Sequence, residues 1–279
     1  MSYSEERLGL VPSTAGETRQ GHKTSVNDDA VCCDARTGLF AVADGSKRPN
    51  GTMGAAHIFL NAIKEHRAAL TKATEEAVSS KEKQGTLKAI FQNAFDAGSR
   101  NIRTSYKVPD GKIGPTTTAT VLIIRNGHGA IGHVGNTRAY LLRKGKVFRL
   151  TKDHTVAQRK LDAKEISTED YAKHPKRKTL YQAVGQAKAV HVDVSFFKVQ
   201  KGDLFLLVSD GVSDSLRGED LRQIKEKSEN EAEFTEATLD LATEREAIDD
   251  LSCVAVSMVE AKARPVETEV EVESAIEIE

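Results

Sequence analysis

Residues 40–46, FAVADGS, form an apolar run that ends abruptly in an aspartate and a glycine. The same ending returns far downstream in residues 205–214, FLLVSDGVSD. A single Asp-Gly after an apolar strand is usually an ordinary turn. Two of them in separate parts of the chain raise the question of whether Asp44 and Asp210 meet at one edge of the folded protein.

The residues before FAVADGS predict a β-hairpin with Asp44 at its open end. The run DAVCC is followed by the turn DARTG and then by LFAVA, which is typical of a strand, a turn and a second strand. Counting outward from the centre of the turn pairs Asp29 with Asp44, and a slip of one residue pairs Asp28 with Asp44 instead. In both registers two carboxylates face each other where the strands leave the core.

A second group of acids flanks two further apolar runs. Asp210 ends the run LFLLVSD, and Asp249 and Asp250 begin the run IDDLSCVAV. If these strands are antiparallel neighbours, their acids also meet at one edge. Two such edges on facing sheets would surround a single cleft with carboxylates. The members of this predicted cluster are Asp28 or Asp29, Asp44, Asp210 and Asp249.

This cluster predicts a site for divalent cations. Like charges held close together raise one another's pKa, and a bound cation relieves the repulsion. Carboxylate oxygens without histidine or thiolate select Mg²⁺ or Mn²⁺. The glycine after each aspartate lets a backbone carbonyl approach such an ion, because glycine has no Cβ. The competing interpretation is structural: the acids only cap strands, and no metal binds.

The remaining chain predicts hairpins that are segregated from helices. Two stretches have helical spacing and flank the polar break SSKEKQG: GAAHIFLNAIKEHRAALTKATEEAV and TLKAIFQNAFDAGSRNIRTSY. A charged helix is predicted over residues 218–246, and residues 153–185 are polar and irregular. The further predicted strands are TTATVLIIR, GAIGHVGNTRAYLLR, KVFRLT, HVDVSFFKV, DLFLLVSDG and LSCVAVSMV. We therefore predict an α+β fold in which two antiparallel β-sheets pack face to face as a β-sandwich with helices outside.

Net charge and the distribution of apolar residues exclude several classes of protein. The 279 residues carry a formal net charge of -1, whereas a general nucleic-acid binder would show a strong basic excess. No apolar run approaches the roughly 20 residues that span a bilayer. The start of the chain, MSYSEERLGLV, has acids where a signal peptide would have basic residues. We therefore expect a cytoplasmic protein that binds neither nucleic acid nor membrane.

A series of motifs in order carries a resemblance to a known family. The motifs are NDDA, FAVADG, TTTATV, GHVGNTRAYLLRKGKVFRLTKDHT, HPKR, QAVG, LFLLVSDGVSD and DDLSCVAV. Together they resemble the metal-dependent Ser/Thr protein phosphatases, the PPM or protein phosphatase 2C family, in the bacterial form, over about residues 14–258. The resemblance implies a β-sandwich flanked by pairs of α-helices. It also implies hydrolysis of phosphoserine and phosphothreonine by a water that bridges two Mn²⁺ or Mg²⁺ ions.

The resemblance also implies a domain organisation and partners. Residues 1–258 would form one catalytic domain with a flap-like segment at about residues 155–180. Residues 259–279 form an acidic tail, which we expect to be disordered, although its alternating pattern also allows a strand. The implied partners are phosphorylated protein substrates and an opposing Ser/Thr kinase, and relatives are commonly monomers.

By resemblance, the first acid pair belongs to one metal ion. Asp44 would bridge the two ions, and the carbonyl of Gly45 would bind one of them. Asp28 or Asp29 would serve that same ion, and many of these contacts would run through water.

The second acid pair and the GNTR sequence belong to the other side of the site. By resemblance, Asp210 and Asp249 would hold the second ion. Asp250 stands where the family usually has asparagine, and we expect it to support the ligands without touching an ion. Asn136, in GNTR, replaces an acid that helps hold a third ion in the family. We therefore expect that ion to bind weakly if at all, with slow catalysis as a consequence.

The phosphate-gripping arginine of the family is replaced here. Its position is occupied by Thr24, and Lys23 beside it and Arg19 upstream are the candidates for a substitute. A lysine cannot give the bidentate contact of arginine. The segment SKRPNGTMG stands where bacterial members carry a glycine-rich run. It either brings Lys47 and Arg48 to the rim of the cleft or is simply a longer surface loop.

Two histidines are candidates for a general acid that protonates the leaving oxygen, His154 in KDHT and His174 in HPKR. Water is the default for this role. The alternative to an enzyme is a regulatory or phosphoprotein-binding relative with weak or no turnover, which the replacements at Thr24 and Asn136 would explain. The retained acids argue against that alternative.

Overall fold

The computed structural model describes residues 9–46, 49, 51–77 and 80–260, and every structural statement below refers to these residues. Ten strands form two five-stranded sheets. The strands are β1 (Leu10–Arg19), β2 (Ala30–Asp34), β3 (Leu39–Ser46), β4 (Thr116–Arg125), β5 (His128–Val134), β6 (Arg138–Arg143), β7 (Lys146–Arg149), β8 (Asp193–Lys198), β9 (Leu204–Val208) and β10 (Leu251–Glu260). The helices are α1 (Ala55–Ala77), α2 (Lys81–Ser105), α3 (Val156–Asp162), α4 (Thr168–Lys173), α5 (Asp210–Ser215), α6 (Gly218–Lys227) and α7 (Glu231–Glu244).

The two sheets are antiparallel throughout. One has the order β1-β10-β9-β6-β7 and the other the order β2-β3-β4-β5-β8. The predicted hairpin turns hold, because Asn126 and Gly127, and likewise Lys144 and Gly145, have the positive φ angles of two-residue hairpin loops. The predicted α+β β-sandwich with helices outside is thereby confirmed.

Three apolar layers hold the sandwich together, and β3 shows how one strand serves two of them. Phe40 and Val42 pack between the two sheets. Ala41 and Ala43 point the other way, into the layer beneath α1 and α2. Side chains alternate along a strand, so Asp44 returns to the face of Phe40 and Val42. Its carboxylate therefore lies at the end of the space between the sheets.

The outer layers are built by helices whose apolar faces cover the sheets. Phe59 of α1 and Phe95 of α2 meet edge to face with ring centroids 4.9 Å apart. Gly98 allows this packing, since a Cβ there would lie 2.6 Å from the Phe59 ring. On the opposite side Phe234 and Leu239 of α7 pack with the outer face of β9 and β10. None of the helices in the described part of the chain combines the length and apolar character needed to cross a membrane.

Two strand predictions were wrong in ways that matter for the site. β1 was not predicted, yet it pairs with β10 along its entire length. The single strand predicted for GAIGHVGNTRAYLLR is two strands, β5 and β6, which lie in different sheets. The chain crosses between the sheets at Gly135, whose φ of 111° is a conformation that L side chains rarely adopt. The GNTR sequence is therefore a crossing point between the two halves of the sandwich.

Helix boundaries also differ from the prediction. β9 ends at Val208, so Asp210 does not end a strand but begins the short helix α5. The helix predicted over residues 218–246 is two helices, α6 and α7, and α2 begins inside the predicted polar break. β10 continues to Glu260, two residues into the predicted tail. The tail residues 261–279, and also Lys47 and Arg48, lie outside the described residues.

Candidate metal centre

The sheet registers bring the predicted acids to one end of the sandwich. Ala30 pairs with Ala43. Continuing this ladder by one residue places Asp29 opposite Asp44, which is the first of the two predicted registers. In the other sheet β10 pairs with β9 in antiparallel orientation, as predicted, so the start of β10 and the end of β9 share an edge.

A cavity of about 320 Å³ lies at this edge, and we call it the carboxylate cavity. Its wall includes five aspartates, which are Asp28, Asp44, Asp210, Asp249 and Asp250. Four other cavities are larger, at about 350 to 660 Å³, but none has more than one aspartate in its wall. The carboxylate cavity is therefore distinguished by its chemistry and not by its size.

The two Asp-Gly glycines have one structural role in common. A Cβ on Gly45 would collide with the carbonyl oxygen of Asp28, and a Cβ on Gly211 would collide with the carbonyl oxygen of Asp250. Each glycine therefore lets one acid-bearing segment lie directly against the backbone of another. The predicted metal contact of the Gly45 carbonyl is a separate use of that residue, which also lines the cavity.

Asp250 fixes the loop that leads into β2. Its Oδ1 accepts hydrogen bonds from the Gly21 amide at 2.8 Å and the Thr24 hydroxyl at 2.6 Å. Its Oδ2 accepts a third bond from the Asp28 amide at 2.8 Å. The Asp250 carboxylate is thus engaged by three protein donors.

Asp28 and Asp29, left as alternatives by the sequence, have different surroundings. Asp28 lines the carboxylate cavity. Asp29 is 3% exposed, does not line the cavity, and accepts a hydrogen bond from the Ser252 hydroxyl at 2.7 Å. The geometry favours Asp28 as the residue that faces a ligand, with Asp29 lying beneath the wall.

Burial and mutual repulsion perturb the pKa values of the cluster. Burial, followed by repulsion from Asp29, Asp210 and Asp249, raises the pKa of Asp44 well above its ordinary value. Burial raises the pKa of Asp29 to about 8, with the Asp250 carboxylate adding to the shift and the Ser252 hydrogen bond opposing it. The pKa of Asp210 rises to about 6, again mainly through burial. Positive charge placed in the cavity would lower all three pKa values.

The cavity wall offers oxygen donors of the kind that Mg²⁺ and Mn²⁺ prefer. Asn136 Nδ2 donates to Asp210 Oδ2 at 2.8 Å, while Asn136 Oδ1 is buried and accepts no hydrogen bond from the described residues. Within the described segments, no three Asp, Glu, His or Cys side chains form a group that could hold an ion alone. An ion bound here would therefore also need backbone, amide or water oxygens as ligands.

The predicted phosphate-binding candidates do not converge on the cavity. Thr24 lines it, but its hydroxyl donates to Asp250. Lys23 is exposed and lies in a neighbouring groove. Arg19 lies outside the cavity wall, in ion pairs with Glu17 at 2.5 Å and Asp240 at 2.6 Å.

The two candidate general acids also lie away from the cavity wall. His154 is 3% exposed, and its Nδ1 accepts from the Gly135 amide at 3.1 Å while its Nε2 lies 3.2 Å from Asp193 Oδ2. Both ring nitrogens are thereby engaged in joining the GNTR crossing to β8. His174 caps the end of α4, and its Nδ1 accepts from the Lys176 amide at 3.1 Å. Neither ring lines the carboxylate cavity.

Sequence reasoning missed one charged residue of the cavity wall, Lys178. Its Nζ lies 2.5 Å from Asp214 Oδ2, and Arg177 Nη1 lies 2.9 Å from Asp214 Oδ1. The basic cluster HPKRK, residues 174–178, was the available signal. The sequence alone does not tell which of its cations turns toward the acids.

Comparison with known proteins places this chain in a family. The chain matches the family model described as protein phosphatase 2C over residues 16–259. It is 28% identical over 254 residues to the serine/threonine protein phosphatase PstP of Mycobacterium tuberculosis, which covers 91% of this chain and 46% of PstP. It is 29% identical over 150 residues to the protein phosphatase PhpP of Streptococcus pneumoniae, which covers 54% of this chain and 61% of PhpP. The chain thus spans about half the length of the curated relatives it matches.

A solved structure of a family member has a similar fold. The catalytic domain of the serine threonine protein phosphatase PstP, in complex with two manganese ions, is similar with a TM-score of 0.71 and 25% sequence identity. The similarity covers 90% of this chain and 99% of that structure. The match to the family model extends over nearly all of the described residues, which confirms the predicted resemblance. This chain belongs to the protein phosphatase 2C family.

Proposed function

We propose that this chain is a metal-dependent protein serine/threonine phosphatase that hydrolyses phosphoserine and phosphothreonine. The observation that carries the proposal is the carboxylate cavity, in which five aspartates line the wall and burial and repulsion raise the pKa values of Asp44 and Asp210. Family membership supports it, since relatives such as PstP and PhpP are named as protein phosphatases.

The cavity supplies the residues that would hold the metal. When bound, Mn²⁺ or Mg²⁺ provides an activated water and neutralises charge on the phosphoryl group. We assign two ions to this site, by analogy with the two manganese ions in the PstP structure. The residues that would hold them are Asp28, Asp44, Gly45 through its carbonyl, Asp210 and Asp249. A third ion would bind weakly if at all, because Asn136 offers an oxygen without charge.

Other residues keep these groups in place. Thr117 donates its hydroxyl to the carbonyl of Asp44 at 2.8 Å, which fixes the end of β3. Asp250 ties down the loop that carries Asp28. Water is the proposed donor of the proton to the leaving oxygen, because His154 and His174 do not line the cavity.

The biological setting follows from this activity. We propose phosphorylated proteins as substrates and a Ser/Thr kinase as the opposing enzyme. The cytoplasmic location, the monomeric state and the catalytic domain over residues 1–258, with its flap-like segment at about residues 155–180, stay predictions.

The test is hydrolysis of a phosphothreonine peptide with Mn²⁺ by the wild type, Asp44→Ala and Asp34→Ala. Asp34 is the matched control, because it is the other strand-flanking aspartate of the same hairpin and lies at its far end. Metal charge stabilisation is worth several kcal/mol, so we expect Asp44→Ala to lose at least about 100-fold in kcat/KM. Asp34→Ala should stay within about twofold, as expected for a surface change remote from the site.

Two results would contradict the proposal. Thermal stabilisation by Mn²⁺ without turnover would indicate the regulatory or phosphoprotein-binding alternative, since a ligand bound only by the native state stabilises it. Neither turnover nor stabilisation would indicate that the acids are purely structural.

A further inference from the structure

The carboxylate cavity has one cation in its wall. Among the described residues that line it, five are aspartates, and Lys178 is the only lysine, arginine or histidine. A phosphate monoester carries about two negative charges at neutral pH. Such a ligand needs hydrogen-bond donors as well as neutralising metal, and the acids offer none in their ionised form.

Lys178 is held in place by helix α5, which begins at Asp210. Asp214 lies one turn after Asp210 in α5, and its carboxylate contacts Lys178 Nζ at 2.5 Å. Asp210 is also close enough for the lysine charge to lower its pKa. Burial alone would lower the pKa of Lys178, but the contact with Asp214 and the negative charges of Asp214 and Asp210 together outweigh it, so the pKa is raised and the amine stays charged.

Hydrogen bonds fix the backbone of the residues that follow Lys178. The Val156 amide donates to the carbonyl of Thr179 at 2.8 Å, and the Tyr181 amide donates to the carbonyl of His154 at 3.0 Å. These bonds tie residues 179–181 to the start of α3. Lys178 therefore leaves a well-anchored segment, which is the condition for placing a functional group accurately.

Other cations in the described structure are poorly placed for the same task. Lys23 is exposed beside a neighbouring groove, and Arg19 is paired with Glu17 and Asp240. Arg177 also contacts Asp214, but it does not line the cavity. An ammonium group has three donors and binds phosphate as a point charge, so one donor can stay on Asp214 while others contact a ligand.

We propose that Lys178 is a substrate-binding residue that contacts the phosphate group in the carboxylate cavity, a function that Thr24 cannot serve because its hydroxyl is bonded to Asp250. This inference rests on the proposed phosphatase function. It assigns the phosphate contact to the segment before β8 and not to the loop before β2.

The test compares Lys178→Met, Lys178→Arg and Arg177→Met in the full chain at saturating Mn²⁺. Arg177→Met is the matched control, because it removes one positive charge and one contact to Asp214 from the adjacent residue. The measurements are kcat and KM for p-nitrophenyl phosphate and a phosphothreonine peptide, and the inhibition constant for inorganic phosphate. The increase in melting temperature caused by inorganic phosphate adds a readout that does not depend on turnover.

Lys178→Met should weaken inhibition by inorganic phosphate and lower kcat/KM by about 10- to 100-fold, the effect of losing one hydrogen bond to a charged group. Lys178→Arg should recover most of the loss, and Arg177→Met should stay within about threefold of the wild type. The Mn²⁺ concentration for half-maximal activation should change less than the inhibition constant for phosphate, because Lys178 acts on the metal ligands only through its charge near Asp210.

The outcomes separate this inference from the proposed function. If the wild type hydrolyses phosphate esters and Lys178→Met has unchanged kcat/KM and inhibition constant, the lysine assignment is wrong and the phosphatase function stands. An equal loss in Arg177→Met would also overturn it, because a general charge effect would then suffice. If the wild type has no turnover but phosphate stabilises it more than Lys178→Met, the assignment holds and the enzyme proposal fails. If phosphate neither inhibits nor stabilises the wild type, both are wrong.

Discussion

Asp34 and Asp44 lie near opposite ends of the β2–β3 hairpin, and their surroundings act on the carboxylate in opposite directions. Asp34 is at the turn, where Thr37 donates its hydroxyl at 2.7 Å and its amide at 3.2 Å. Those hydrogen bonds lower the pKa of Asp34. Asp44, at the open end, is buried among other acids, and its pKa is raised. The ionised form of aspartate is therefore stabilised at the turn end of the hairpin and destabilised at its open end.

Strand β9 repeats this contrast in the other sheet. Asp203 comes just before the strand and is 1% exposed, but Arg143 grips it with two hydrogen bonds of 2.6 Å. Asp210 comes just after the strand and faces further acids, with Asn136 and Lys178 only partly compensating. The turn end of the sandwich supplies a donor for each acid, whereas the cavity end accumulates acids. Unfavourable electrostatics confined to one end indicates where a cation and an anionic substrate would bind.

The contrast predicts opposite stability effects for two matched substitutions. Asp203→Ala leaves Arg143 without its partner, and breaking a buried pair costs about 3–5 kcal/mol. We expect about 3 kcal/mol, the lower value, because the Arg143 side chain still reaches solvent. Asp210→Ala should not lower the free energy of unfolding of the metal-free protein to a comparable extent, because it relieves repulsion. Urea unfolding of both variants in EDTA checks this.

A comparable loss of unfolding free energy in both variants would contradict this difference between the two ends of β9. It would mean that Asp210 contributes more through its bond to Asn136 than it costs through repulsion. Adding Mn²⁺ sharpens the comparison, because the metal should stabilise Asp203→Ala and the wild type equally but stabilise Asp210→Ala less.

The pH dependence of stability gives a second way to test the cavity end. The pKa of Asp29 is about 8 in the folded protein, above its unfolded value, so the folded state binds more protons between about pH 4 and 8. The stability of the metal-free protein should therefore fall as the pH rises through this window. We expect a loss of about 2 kcal/mol between pH 6 and pH 8, mostly from Asp29.

Mn²⁺ should reduce this loss, because positive charge in the cavity lowers the pKa of the nearby carboxylates. Denaturation at both pH values, with and without Mn²⁺, provides the measurement. An unchanged pH slope after metal addition would place the metal elsewhere, and a flat profile without metal would show that burial does not raise the pKa of Asp29.

The parts of this site that depend on local pattern were predictable. The β2–β3 register is one of the two that the turn and the alternation of apolar residues allowed, whereas Asp210 begins a helix and does not end a strand as predicted. β1 was not predictable in this way, because Pro12, Gly16 and its polar residues give no strand signal. Its stability comes from pairing with β10, some 240 residues away, which is a tertiary contribution.

The orientation of individual side chains could not be predicted from the sequence either. His154 and Lys178 lie in the same polar stretch of sequence, and only the histidine attracted a catalytic interpretation. In the structure the histidine is enclosed by backbone and carboxylate partners, whereas the lysine reaches the acids. This outcome depends on how residues 154–181 fold back on themselves, and no spacing rule in the sequence encodes it.

A buried base in β5 should show the reverse pH dependence. His133 is 1% exposed, and its Nδ1 and Nε2 each lie 2.9 Å from an oxygen, that of the Thr120 hydroxyl and that of the Lys152 carbonyl. Burial and the neighbouring His154 lower its pKa to about 4. The unfolded chain therefore binds more protons below about pH 6.5, and stability should fall as the pH is lowered.

For His133 this effect amounts to about 2 kcal/mol between pH 7 and pH 5. His133→Gln keeps a donor for Lys152 but does not titrate, so its stability should be lower at pH 7 and change less between these pH values. Because the acid cluster acts in the opposite direction, the comparison is best made in the presence of Mn²⁺. Equal pH slopes in His133→Gln and the wild type would mean that the ring gains a proton without loss of its contacts.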